Sequence, residues 1–175
     1  MDLITRVNNT IQDIPDFPKP GIIFKDIAPI LADAALCKSI TDYFCALPMV
    51  KPDAICAIES RGFFFGILIA QALGVPLVMI RKKGKLPGEV IAESYNLEYG
   101  SATIEIQKGA IKVGQNIWLH DDVLATGGTA AAAAKLIESQ GANLAGFIFL
   151  MELEFLKGAD LLKEFSKPSH SLVRY

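Results

Sequence analysis

Apolar residues return at helical intervals at Leu3, Ile4, Val7 and Ile11, which predicts a short amphipathic helix at the start of the chain. From Asp13 to Gly21 three prolines fix φ and remove amide donors, so a rigid loop without regular structure is expected. Residues 34 to 47 read as a helix with Leu36, Ile40, Phe44 and Leu47 on one side, stopped by Pro48 and Pro52. The short apolar run Asp53 to Ile58 suits a buried strand, Gly62 to Leu73 a helix closed by Gly74, and Val75 to Ile80 a second strand. Strand, helix, strand in that order argues for a parallel sheet. Residues 81 to 101 then break the pattern, basic and glycine-rich at first and polar afterwards, and a long excursion of this kind is more often functional than idle. A strand over Asn116 to His120, a turn at Gly127-Gly128, an alanine-rich helix from Thr129 to Ser139 ended by Gly141, and a strand over Asn143 to Met151 restore the alternation. The expected fold is α/β, one domain with a central, mostly parallel twisted sheet flanked by helices.

Composition narrows the function classes. With 175 residues, 51% hydrophobic and 21% charged, the chain is long enough for a real core and too apolar to be disordered. The longest apolar run, Phe63 to Ile80, is interrupted by Gly66, Gln71, Gly74 and Pro76, which argues against a membrane span. The first 30 residues lack the unbroken apolar stretch of a signal peptide, so a cytoplasmic protein is expected. A net charge of −2 gives no global positive field, so nucleic acid is not an expected partner. Cys37, Cys45 and Cys56 show no metal-ligand spacing and read as buried free thiols in a reducing compartment.

The most informative segment is Ile117 to Thr129, an apolar strand running into Asp121 and Asp122, a small-residue loop and a helix. In open parallel sheets ligands bind beyond the carboxyl ends of strands, where this polar cluster is expected. Ala125, Thr126, Gly127, Gly128 and Thr129 would let backbone amides approach a phosphate, with hydroxyls and the start of a helix behind them. The aspartates can accept hydrogen bonds from sugar hydroxyls, so one segment suits a ribose 5-phosphate. The bland alternative is a pair of solvated loop acids before an ordinary turn, with Thr129 as the helix cap. The segment lacks the lysine of a P-loop and the GxGxxG spacing of a dinucleotide site.

This acid pair and loop resemble the phosphoribosyl pyrophosphate motif of the type I phosphoribosyltransferases. The resemblance runs through nearly the whole chain and narrows to the branch that acts on adenine, through Asp16 to Ile27, Glu59 to Phe63, Arg81 to Pro87, Leu97 to Gly100 and the Asp121 to Thr129 loop. It implies a sheet carrying a small hood, an N-terminal base-recognition segment over about residues 1–33 and a mobile flap over about residues 82–100. It assigns pyrophosphate to Ser60, Arg61, Gly62, Arg81 and Lys85, with a cis peptide near Ser60. Arg61 alone reads equally well as a structural arginine at the sheet edge, and the basic run 81–85 as a solvated turn.

By the same resemblance Glu98 meets the reacting base, although on the residues alone it is a surface glutamate. Main-chain groups near Ile23 and Lys25 would read the purine edge, with Phe24 and Leu153 sandwiching the ring; otherwise Phe24 is a core aromatic. Arg61, Arg81 and Glu98 are thus the expected catalytic side chains. Magnesium is expected to arrive with the donor, held by substrate and water and by no direct protein ligand, and the family implies a homodimer. His120, where an aliphatic residue is expected, reads as a hydrogen-bonded structural histidine. Glu138, Glu152, Glu154, Asp160 and Glu164 read as solvated acids. Two rivals stand beside this reading: a nucleic-acid-binding regulator that keeps the fold, and a transferase for guanine, hypoxanthine or orotate.

Overall fold

The computed structural model describes residues 1–96 and 100–175, and its backbone divides into two units, Met1–Ala46 and Leu47–Tyr175. In the first unit, helix α1 (Leu3–Thr10) begins where the Asp2 carboxylate accepts the Thr5 amide at 3.0 Å. The proline-rich stretch is more ordered than the prolines suggest. Strand β1 (Gln12–Pro15) pairs antiparallel with β2 (Ile23–Asp26), and Pro15 is tolerated because it is the last residue of a strand in a two-stranded ribbon. Between them the Phe17–Pro18 peptide is cis, and Asp16 accepts the Gly21 amide at 2.7 Å. Helix α2 (Ala28–Leu31) and helix α3 (Ala34–Cys45) complete this unit, with Asp33 capping α3 through the Leu36 amide at 2.9 Å. The helical spacing holds: Val7, Leu36, Ile40 and Phe44 are buried. Leu47, expected as the fourth member of the α3 stripe, falls beyond the helix end.

The second unit contains strand β3 (Ala54–Ile58), helix α4 (Gly62–Leu73), strand β4 (Leu77–Lys82), β5 (Val90–Asn96), β6 (Ser101–Gln107), β7 (Asn116–Leu124), helix α5 (Gly128–Ser139), β8 (Asn143–Glu152), the short helix α6 (Gly158–Leu162) and β9 (Ser169–Arg174). Its seven strands run in the order β5-β6-β4-β3-β7-β8-β9. The five strands from β4 to β9 are mutually parallel, and β6 and β5 join the edge antiparallel, so the sheet is mostly parallel as expected. β3 is buried at all five positions, which is why it reads as a continuous apolar run with no alternation.

Four expectations are corrected. Part of the excursion after residue 81 is an antiparallel hairpin made of β5 and β6, and the strand over Ser101–Gln107 was not foreseen. In β5, the edge strand that pairs with it, Glu93, Ser94 and Tyr95 dilute the apolar alternation and hide the hairpin. The C-terminal strand β9 was also missed, because its first three residues, Ser169-His170-Ser171, are polar although they are partly buried against β8. Glu152, expected to be solvated, is 8% exposed at the end of β8 and faces Arg174 at 3.5 Å. Cys56 is buried, whereas Cys37 and Cys45 are only half-buried; all three are free thiols.

Helix α4 lies close on β3 because Gly66 has no side chain: a Cβ there would stand 2.6 Å from the Ala57 Cβ. Gly66→Ala should therefore force the helix off the sheet and cost about 1–3 kcal/mol in a urea titration. An unchanged unfolding midpoint would contradict this packing.

Candidate functional site

Parallel pairing of β3 with β7 brings the carboxyl ends of both strands to one rim of the sheet. Glu59 to Gly62 follow β3 there, and the Glu59–Ser60 peptide is cis, as the resemblance implied. Strand β7 is longer than foreseen and runs through both aspartates to Leu124. Side chains alternate along a strand, so the two acids have different surroundings. Asp122 is 3% exposed, and its Oδ2 meets Arg61 Nε at 2.8 Å. Asp121 is half-buried, accepts the Asp122 amide at 2.8 Å and lines a cavity of about 330 Å³ with Glu59, Lys82, Tyr95 and Thr129. Gly62 begins α4 against it; a Cβ on that glycine would stand 2.9 Å from Asp121 Oδ1.

Burial pushes the Asp121 carboxyl well up, and the neighbouring Asp122 adds to the rise. Burial raises Asp122 as well, but the Arg61 guanidinium opposes it. Behind them His120 is fully buried with Nδ1 2.9 Å from the Ile148 carbonyl, which makes Nδ1 the protonated nitrogen of a neutral ring. The structural reading of His120 holds.

Neither part of the bland reading of the loop survives. Asp122 is not solvated, and the helix cap is Gly127 in the left-handed conformation (φ 83°), with Thr129 inside the first turn. No side chain caps α5, so its first amides are not satisfied in that way. Thr126 is exposed beside them. The Thr129 hydroxyl donates to the Tyr95 hydroxyl of β5 at 2.9 Å, which sets the hairpin against the start of α5.

The other predicted positions vary. Glu59 Oε2 accepts Arg81 Nε at 3.1 Å and the Lys82 amide at 3.0 Å. Burial alone would raise the Glu59 carboxyl, but the Lys82 amide and the Arg81 guanidinium outweigh it and hold it below its ordinary value. Arg81 also donates to the Lys85 carbonyl at 3.1 Å, while the Lys85 side chain is exposed. Ile23 is exposed, Phe24 packs edge-on against Phe17 with ring centroids 5.1 Å apart, and Lys25 Nζ lies 2.6 Å from Asp13. These three belong to the first unit and Leu153 to the second. Glu98 and Tyr99 lie outside the described residues.

A family model described as a phosphoribosyl transferase domain matches residues 36–165. An adenine phosphoribosyltransferase of Cytophaga hutchinsonii is 50% identical over 97% of this chain and 94% of its own length. The chain belongs to the adenine phosphoribosyltransferase family. The crystal structure of the adenine phosphoribosyltransferase of Thermoanaerobacter pseudethanolicus superposes with a TM-score of 0.94 at 45% identity, covering 98% of this chain and 99% of the other. That of Saccharomyces cerevisiae, complexed with an imino-altritol bisphosphate and adenine, gives 0.91 at 44% identity over 97% and 98%.

Within this adenine phosphoribosyltransferase fold, three polar residues that line the cavity went unassigned in the sequence: Glu59, Lys82 and Tyr95. Glu59 and Lys82 stand inside segments that carried the resemblance, so a signal existed for them. Tyr95 could be placed only once the hairpin register was known.

His120 gives a pH test. Burial lowers its pKa from 6.5 to about 4, so an unfolded chain takes up a proton below pH 6.5 that the folded chain refuses. Its contribution is complete above pH 6.5 and is lost as pH falls toward 4, about 2 kcal/mol of it by pH 5. Urea unfolding of the wild type and His120→Leu at pH 7 and pH 5 should show the steeper loss in the wild type. Equal losses would show that His120 is not held neutral.

Proposed function

We propose that this chain transfers the 5-phosphoribosyl group from 5-phosphoribosyl 1-pyrophosphate to adenine, giving AMP and pyrophosphate in cytoplasmic purine salvage. The observation that carries the reading is the start of α5, capped by no side chain, at the end of the loop that follows the acid pair and beside a cavity that Asp121 and Thr129 line. Family membership supports it, and the yeast relative is described in complex with adenine.

In this reading Ala125, Thr126, Gly127, Gly128 and Thr129 hold the 5-phosphate by amides, hydroxyls and the helix dipole. Asp121 accepts hydrogen bonds from the ribose hydroxyls. Asp122 serves the same sugar while fixing Arg61 at the rim. Ser60, Arg61 and Gly62 cradle the pyrophosphate, with Arg81 and Lys85 adding positive charge as it leaves. As the family resemblance implies, main-chain groups at Ile23 and Lys25 read the purine edge, and Glu98 supports the base during attack. Positioning and electrostatics suffice here, and no covalent nucleophile is required.

Among the described residues no group of three or more His, Cys, Asp or Glu could hold a metal ion. With Asp122 engaged by Arg61, Asp121 is the acid that faces the cavity, which suits a magnesium ion held chiefly by donor oxygens and water. Bound in that way, magnesium would neutralise charge on the leaving pyrophosphate. Phe64 and Ile67 lie one turn apart on α4 and are 47% and 49% exposed, an apolar pair that supports a homodimer. No helix among the described residues is long and apolar enough to cross a membrane, and the free thiols suit a reducing compartment.

The test is to incubate the protein with magnesium, donor and each purine in turn. Adenine should be consumed at least about tenfold faster than hypoxanthine or guanine, since each wrong base leaves buried groups unpaired at about 1–3 kcal/mol each. Arg61→Ala and Asp122→Ala should each lower kcat/KM by about a hundredfold or more while keeping a cooperative thermal transition. Preference for an oxopurine, or wild-type rates in both variants, would refute the reading.

A further inference from the structure

We infer that Gly158 is a positioning residue for the donor's 5-phosphate, bracing the phosphate loop by backbone contact at Ala125 and Gly127. The inference rests on the transferase reading above. The short 3-10 turn Glu154–Leu156 ends on a left-handed lysine, a position where glycine is usual. Lys157 takes the left-handed conformation (φ 55°), where glycine would be comfortable, and the glycine comes one position later. Gly158, the first residue of α6, is not among the positive-φ residues, so its backbone would accept any side chain.

Contact explains the glycine. A Cβ on Gly158 would overlap the Ala125 carbonyl oxygen and stand 2.9 Å from the Gly127 amide nitrogen. From the other side, a Cβ on Gly127 would stand 2.7 Å from the Gly158 carbonyl oxygen and 3.2 Å from its Cα. Two glycines are thus pressed together backbone to backbone, one inside the phosphate loop and one outside it. Only Gly127 also has a conformational reason to be glycine, at φ 83°.

The outer partner is firmly held. The Leu153 amide donates to the Leu124 carbonyl at 2.9 Å, and the Glu154 amide to the Tyr175 carbonyl at 2.8 Å. Leu162, at the far end of α6, is 2% exposed and packs in the hydrophobic core of the unit. A side chain at position 158 would therefore press directly on the loop at Ala125 and Gly127. Displacing Ala125 to Gly127 re-aims the amides that receive the phosphate, and a misplacement of about 1 Å can cost about a hundredfold in function.

The test uses Gly158→Ala with Lys157→Gly as its control. For Gly158→Ala the KM for the donor should rise about tenfold or more, with the KM for adenine within about twofold of wild type. Calorimetric titration with ribose 5-phosphate, which needs no turnover, should show the same loss. Lys157→Gly relieves the left-handed lysine and leaves the contact intact, so donor KM should not change and Tm should not fall. If Gly158→Ala does not fold, Leu162→Ala loosens α6 without overlap and should raise the donor KM several-fold while sparing adenine. Wild-type ribose 5-phosphate binding in a folded Gly158→Ala protein overturns the inference, as does an equal rise in both KM values. A wild-type protein that does not bind ribose 5-phosphate overturns the transferase reading and this inference together, and the wild-type titration alone distinguishes that case.

Discussion

The contact between Arg61 and Asp122 is the constraint on which the site depends. A carboxylate with 3% exposure is costly to keep ionised, and the guanidinium at 2.8 Å offsets that cost. Because Arg61 follows β3 and Asp122 lies in β7, one ion pair ties the rim loop to the strand that feeds the phosphate loop. The same contact distributes work between adjacent acids. Asp122 holds Arg61 at the rim, and Asp121 faces the cavity.

A second constraint is how closely backbones approach around this centre. Gly62 makes room for the Asp121 carboxylate, Gly66 seats α4 on Ala57, and Gly158 meets the loop at Ala125 and Gly127. At each place an added Cβ would meet its neighbour at less than 3 Å. The loop is thereby fixed on three sides: by β7 before it, α5 after it and the start of α6 across it. Preorganised amides are worth most when nothing has to reorganise on binding.

Much of this was legible in the sequence wherever a local pattern reported a local structure. The buried run of β3, the helix closed by Gly74 and the alanine-rich helix after Gly127-Gly128 are each set by neighbouring residues, and their boundaries fell within about a residue or two of expectation. What escaped depends on distant partners. β5 and β6 are strands because they pair with each other and β6 pairs with β4, and Glu93, Ser94 and Tyr95 conceal this. β9 exists because β8 offers it an edge. At the site the acid pair and the phosphate loop could be picked out by residue type and spacing. That β7 runs through both acids, that Glu59 holds Arg81 and that Gly158 faces Gly127 are facts of packing which no spacing discloses.

The most direct measurement is a crystal structure of the protein with ribose 5-phosphate and magnesium. The account predicts phosphate oxygens within hydrogen-bonding distance of the amides of residues 126–129 and a ribose hydroxyl on Asp121, with the Arg61–Asp122 pair intact. A phosphate bound at the basic turn of residues 81–85 or anywhere else, with the 125–129 loop left empty, would contradict it.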